Sequence, residues 1–163
     1  MRVIEFNEVE YPYFQCTGNA SRFAIPFAKE VCIGRGVDIG FNREEWKFPG
    51  AIGVDIEDTS NEYHALDLPH ALDYIYSSHC LEHLDCWVTA MDYWLSHLTK
   101  EGVLFLYLPD FSQEYWRPWH NRKHKHVLTP EIIEAYLKDT GVERYFISDV
   151  DLNNSFMVIA EKG

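Results

Sequence analysis

The sequence predicts an α/β domain: a mostly parallel sheet of seven strands that closes with a C-terminal antiparallel hairpin. Three observations carry this reading. After residue 36, short apolar runs alternate with turns and helix patterns, as they do where strands run parallel and the chain crosses over between them. Several of these runs end in an acid, a glycine or a serine, the positions where an open α/β sheet meets its ligand. The last two runs are separated by "DVDLNN", whose turn-forming residues favour a hairpin.

The expected strands are Val37–Gly40, Ala51–Asp55, Tyr63–Asp67, Tyr74–Ser77, Val103–Leu108, Arg144–Ser148 and Ser155–Ala160. A helix is expected over Cys80–Leu98, where Leu81, Leu84, Val88, Met91, Trp94, Leu95 and Leu98 recur at three- and four-residue steps and Gly102 follows the end. A second lies in "TPEIIEAYLKDTG", with Thr129 as N-cap, Pro130 at the first position and Gly141 as the stop. A third, Asn19–Glu30, precedes the first strand, with Pro26 as a potential kink. Only about twelve residues join the first two strands, near the minimum for a parallel crossover, so their connecting helix is a turn or so. Part of one sheet face then needs another cover. The N-terminal segment with Tyr11, Tyr13, Phe14, Phe23 and Phe27 is the first candidate, and a second subunit, giving a homodimer, is the alternative.

At 163 residues the chain suits one domain with one core: a covering segment over 1–33 and a sheet core over 34–163. An apolar content of 47% with 25% charged residues is that of a soluble globular protein. No apolar run approaches the roughly 18 residues a membrane helix needs. The start "MRVIEFNEVE" carries charges where a signal peptide has its apolar core, so a cytoplasmic protein is expected. The four cysteines, Cys16, Cys32, Cys80 and Cys86, form no C-x-x-C pair, which fits reduced thiols in a cytoplasm. A net charge of −12 disfavours nucleic acid as a partner. The exception is a basic, aromatic island, "RPWHNRKHKH", residues 117–126.

Chemistry is expected at the carboxyl ends of the strands: Asp38–Gly40, Asp55, Asp67, Ser77–His79 and Pro109–Asp110. A carboxylate ending the second strand can accept both hydrogen bonds of a ribose diol, and one ending the third can accept from an exocyclic adenine amine. Gly40 allows close backbone approach. No G-x-G-x-x-G follows the first strand, which disfavours a nicotinamide dehydrogenase.

The segments "VDIG" (37–40), "GVDI" (53–56), "ALDLP" (65–69), "YIYSSHCLEHL" (74–84), "GVLFLYLPD" (102–110) and "HVLTPEII" (126–133) stand in an order that resembles the class I S-adenosylmethionine-dependent methyltransferases. The resemblance covers roughly residues 34–160 and implies a Rossmann-like fold, S-adenosylmethionine as cofactor and methyl transfer to a small or medium-sized acceptor. By that resemblance Asp38, Ile39, Gly40, Phe41 and Asn42 border the methionine end of the cofactor. Asp55 holds the ribose, Ile56 packs on adenine, Asp67 and Leu68 meet the adenine edge, and Ser78 and His79 face the sulfonium. For a hydroxyl acceptor, His79, His124 or His126 is the candidate base, because imidazole titrates near neutrality. The family usually has two further glycines and a full helix after Gly40. Here Asn42 takes the second glycine's place, and the helix is cut short. S-adenosylmethionine has no phosphates to cradle, and Asn tolerates unusual backbone angles, so a trimmed but working site is expected.

Two alternatives stand beside this reading. One is a non-catalytic cofactor-binding or regulatory module of the same fold. The other is a metal-dependent hydrolase, because "HCLEH", residues 79–83, matches the inverted zinc-protease pattern H-x-x-E-H, and on a helix His79 and His83 would share a face. The strand-to-turn context accounts for the same letters, so no metal is expected, and the unevenly spaced His120, His124 and His126 do not change that. The loop "PDFSQEYWRPWHNRKHKHVL" follows the fifth strand, where long loops commonly serve as lids or substrate contacts. Tyr115, Trp116 and Trp119 could pack a planar acceptor there, and Arg117, Arg122, Lys123 and Lys125 could meet an acidic group.

Overall fold

Residues 2–55 and 67–163 are described by the structure, a computed structural model of the chain. The chain opens with a hairpin of β1 (Val3–Phe6) and β2 (Val9–Pro12), then short α1 (Tyr13–Cys16) and α2 (Ser21–Ala28). The main sheet follows with β3 (Gly36–Ile39), β4 (Ile52–Val54), β5 (Leu72–Ser78), β6 (Leu98–Pro109), β7 (Arg144–Ile147) and β8 (Ser155–Glu161). Helix α3 (Trp87–His97) lies between β5 and β6, and α4 (Pro130–Asp139) between β6 and β7. The six strands run in the order β4-β3-β5-β6-β8-β7. Pairing is parallel from β4 to β6, while β8 is antiparallel to both β6 and β7. The expected third strand, Tyr63–Asp67, falls outside the described residues except for Asp67, which sits in a bend; Ile56 falls outside them entirely. The sheet therefore has six described strands rather than seven.

Strand alternation sorts the core onto two faces. Leu104, Leu106 and Leu108 of β6 join Phe156, Val158 and Ala160 of β8 and pack under α3 and α4, with Met91, Trp94, Ile133 and Leu137. Tyr74, Tyr76, Phe105 and Tyr107 fill the other face. That face is covered by α2 through Ala20, Ala24 and Ala28, spaced four apart and almost fully buried, and by Phe48. The cover comes from the expected N-terminal segment, but with the size order reversed. The helix brings methyl groups, the sheet brings rings, and Phe27 stays exposed.

One expected helix boundary is wrong. The helix drawn over Cys80–Leu98 begins only at Trp87, after a single 3-10 turn, Leu81–His83. The cause is competition for carbonyls. The Glu82 carbonyl, which a helix would give to residue 86, accepts from Lys125 N–H at 2.8 Å and more weakly from His126 N–H. The Leu84 carbonyl accepts from the His126 ring at 2.8 Å. The short β3–β4 connection is as expected, with one 3-10 turn, Glu44–Trp46. Thr129 caps α4, its hydroxyl accepting from Ile132 N–H.

All four cysteines are free thiols. Burial pushes Cys16 up to about 11 and Cys32 up to about 12, and raises Cys80 too. Cys86, exposed at the start of α3, is lowered because the Thr89 hydroxyl donates to its sulfur. Among the described residues no helix is long and apolar enough to cross a membrane.

Candidate active site at the crest of the sheet

The carboxyl ends of β3, β4 and β5 form one crest, and the trimmed loop is built into it by two acids. Asp38, 1% exposed, accepts the Phe48 N–H at 2.7 Å. Asp55 accepts the Asn42 N–H at 2.9 Å. Gly40 donates its own N–H to the Val54 carbonyl at 2.7 Å. The shortened segment is thus pinned at Gly40, Asn42 and Phe48, without the missing helix. Burial, with Asp55 nearby, pushes the Asp38 carboxyl up to about 7, while the Phe48 N–H and Lys47 work against that rise.

The backbone at the crest is left-handed at three places: Gly40 at φ 80°, Asn42 at φ 62° and His79 at φ 49°. A Cβ on Gly40 would stand 2.6 Å from the Cys80 side chain, so glycine is needed for space as well as angle. Asn42 occupies the expected glycine position in the conformation a glycine would adopt. Non-glycine residues held at positive φ cluster at functional sites. His79 N–H donates to the Tyr107 carbonyl at 2.8 Å, and its Nε2 lies 3.0 Å from Ser155 Oγ. Burial, then His124 and His83, lower its pKa well below the ordinary imidazole value, so the ring is neutral at pH 7.

The remaining expected site residues scatter more widely. Ile39 is buried in the core. Phe41 is buried beside Gly53, where a Cβ would meet its ring at 2.7 Å. Leu68 lies in the core and donates its N–H to the Tyr93 hydroxyl at 3.2 Å, while Asp67 is exposed. Ser78 is buried, with its hydroxyl beside that of Tyr76. His124 is buried flat against Trp116, ring centroids 4.7 Å apart and 6° from parallel. Burial drops it to about 3. His126 uses Nε2 on the Leu84 carbonyl. His79 and His83 share no helix face, because Cys80–Asp85 is not helical beyond one 3-10 turn; the zinc-protease geometry does not form.

The sequence reading missed the N-terminal hairpin as a wall of the site. Phe6 and Tyr11 pack on Tyr115, Phe6 also on His120, and the Tyr11 hydroxyl accepts the Glu114 N–H at 3.1 Å. The alternation in "VIEFNEVEYP" was the available signal. Of the loop aromatics, Tyr115 and Trp116 pack inward, while Trp119 stays half-exposed against Phe111, over which Arg117 lies at 4.2 Å. A cleft lies beneath, lined by Asp110, Phe111, Trp116, Arg117, His124 and His126.

The methyltransferase domain family model matches residues 16–144; the chain belongs to that family, among the class I S-adenosylmethionine-dependent methyltransferases. No curated protein matches by sequence. Solved structures do match in fold. A Thermotoga maritima protein described as a SAM-dependent methyltransferase, possible histamine N-methyltransferase, aligns at TM-score 0.69 and 17% identity over 93% of each chain. A SAM-dependent methyltransferase from Archaeoglobus fulgidus aligns at TM-score 0.60 and 18% identity, over 93% of this chain and 100% of its own.

Proposed function

We propose that the chain binds S-adenosylmethionine at the crest and transfers its methyl group to a small or medium-sized acceptor. The observation that carries this is the trimmed loop itself: Gly40 and Asn42 hold the tight left-handed turn that the missing glycines would have made, and Asp55 locks it. The residues suit the cofactor. At the end of β4, Asp55 offers a carboxylate to a ribose diol. When bound, the cofactor supplies an electrophilic methyl on sulfur. The protein's part is to orient that methyl against the acceptor and exclude water. His79, directly after β5 and neutral at pH 7, is the residue assigned to take a proton from a hydroxyl acceptor. His126 spends its Nε2 on a backbone carbonyl, and His124 is stacked away under Trp116.

Calorimetric titration with S-adenosylmethionine and S-adenosylhomocysteine tests the reading. Both ligands should bind the wild type, and Asp55→Ala should weaken them on the order of 10- to 100-fold, the worth of hydrogen bonds to a charged group. A folded wild type that takes up neither ligand would overturn it. Binding without turnover on any hydroxyl or amine acceptor would instead favour the non-catalytic module.

A further inference from the structure

Behind the crest, three side chains converge that the methyl-transfer reading leaves unused. Glu82 is 0% exposed, and no other described residue donates a well-formed hydrogen bond to either carboxylate oxygen, its own backbone N–H being a weak neighbour. A buried carboxylate left so costs several kcal/mol unless something compensates it. Two imidazoles face it: His83 Nε2 at 3.7 Å and His124 Nε2 at 3.8 Å from the same oxygen. All three ligand atoms lie within 4.8 Å of one another.

The tautomer of His83 sharpens the problem. Its Nδ1 lies 2.8 Å from the Lys123 carbonyl, an acceptor only, so Nδ1 carries the hydrogen there. In the neutral ring Nε2 is then a bare lone pair aimed at a carboxylate. Two acceptors facing each other need a cation between them. A shared proton would draw them to about 2.8 Å, closer than they stand. Ligand atoms about 2.1 Å from a tetrahedral ion lie about 3.4 Å apart, near the spacing seen. The carbonyl on Nδ1 is also the usual outer partner of a metal-bound histidine.

The geometry points to a site for one zinc-class divalent ion, held by Glu82 Oε1, His83 Nε2 and His124 Nε2. Two imidazoles and a carboxylate suit a borderline metal better than calcium or magnesium. The fourth position is left to water. His83 is part-exposed and gives the ion a way in. Two of the ligands come from the turn after β5 and one from the β6–α4 loop. The same two segments are already joined by backbone hydrogen bonds from Lys125 and His126 to Glu82. The ion therefore clips the basic, aromatic loop onto the sheet. This ligand set is not the H-x-x-E-H helix pattern, because His79 turns to Ser155 and His124 supplies the third ligand.

The test is titration of chelator-stripped protein with zinc chloride alone, in competition with a chromophoric chelator, and with cobalt(II) to read coordination from its visible absorption. One equivalent should bind, with a four-coordinate cobalt spectrum, and the melting temperature should rise with zinc. Glu82→Gln, His83→Ala and His124→Ala should each weaken binding at least tenfold, while His120→Ala, in the same loop but outside the cluster, should not. Circular dichroism shows which variants fold, and Glu82→Gln, which keeps the shape, serves where an alanine variant does not. A folded wild type that binds no zinc, or binding that survives in the folded cluster variants, would overturn the site. None of these readouts depends on S-adenosylmethionine, so the two proposals stand or fall separately.

Discussion

At the scale of single residues, two of the three left-handed positions at the crest, Asn42 and Gly40, lie in the trimmed loop. Asn42 at φ 62° is one of the few side chains that accept that angle. Asn42→Gly should therefore keep both stability and cofactor binding, whereas Asn42→Val should cost about 1–2 kcal/mol and loosen the Asp55 contact. Chemical denaturation and the cofactor titration check this together. Gly40 is constrained twice, by its φ of 80° and by the Cys80 side chain, 2.6 Å from where a methyl group would stand. Gly40→Ala should cost about 2–4 kcal/mol from strain plus overpacking. Combining it with Cys80→Gly should cost less than the sum of the two single changes, because only the steric part is shared. Asp38 and Asp55, at the ends of β3 and β4, were legible in the sequence because type and position coincide. The buried Glu82 was not, because its histidine partners lie one residue and 42 residues away and only the fold joins them.

At the scale of elements, α2 shows why periodicity alone underdetermines packing. Its alanines lie against four aromatic rings of the sheet, and small residues on the helix are what let the rings fit. Ala24→Leu should destabilise by about 1–3 kcal/mol, measurable as a lowered denaturation midpoint with an unchanged slope. The helix after β5 teaches the complementary lesson. Its three- and four-residue spacing is real from Trp87 onward, and Leu81 and Leu84 happen to continue it. The loop at 123–126 takes the carbonyls that would extend the helix backward. A local pattern could not show that, since the competitor is some 40 residues distant. The β7–β8 hairpin, by contrast, rests on two contiguous apolar runs and a turn, and its strands were legible to within a residue.

For the whole molecule, charge and burial act in the same direction. The chain carries −12, so self-repulsion grows as pH rises. Asp38 adds to this. Its pKa is raised from 3.8 to about 7 in the fold, so the folded state holds that proton more tightly than the unfolded state. The stabilisation is full below about pH 4, where both states are protonated, and is lost as pH climbs through 7. Asp38→Asn keeps an acceptor for the Phe48 N–H without the charge. It should flatten the fall in stability between pH 4 and 7 and exceed the wild type at pH 8, by on the order of 4 kcal/mol at most. Melting curves across pH 4–8 check it. The overall architecture was legible because it is written in the order of strands and turns. The wall made by the N-terminal hairpin was not, because its contacts with Tyr115 and His120 span more than a hundred positions.

The thiol at Cys86 has a practical consequence. The other three cysteines are partly or wholly buried and raised, while Cys86 is exposed and lowered. A maleimide or iodoacetamide dye should therefore label this position first, with no engineered cysteine. Its neighbour Asp85 pairs with Lys125, on the loop that also carries His124. A fluorophore there stands at the seam between loop and sheet, where a change in the docking of that loop alters its surroundings and hence its emission.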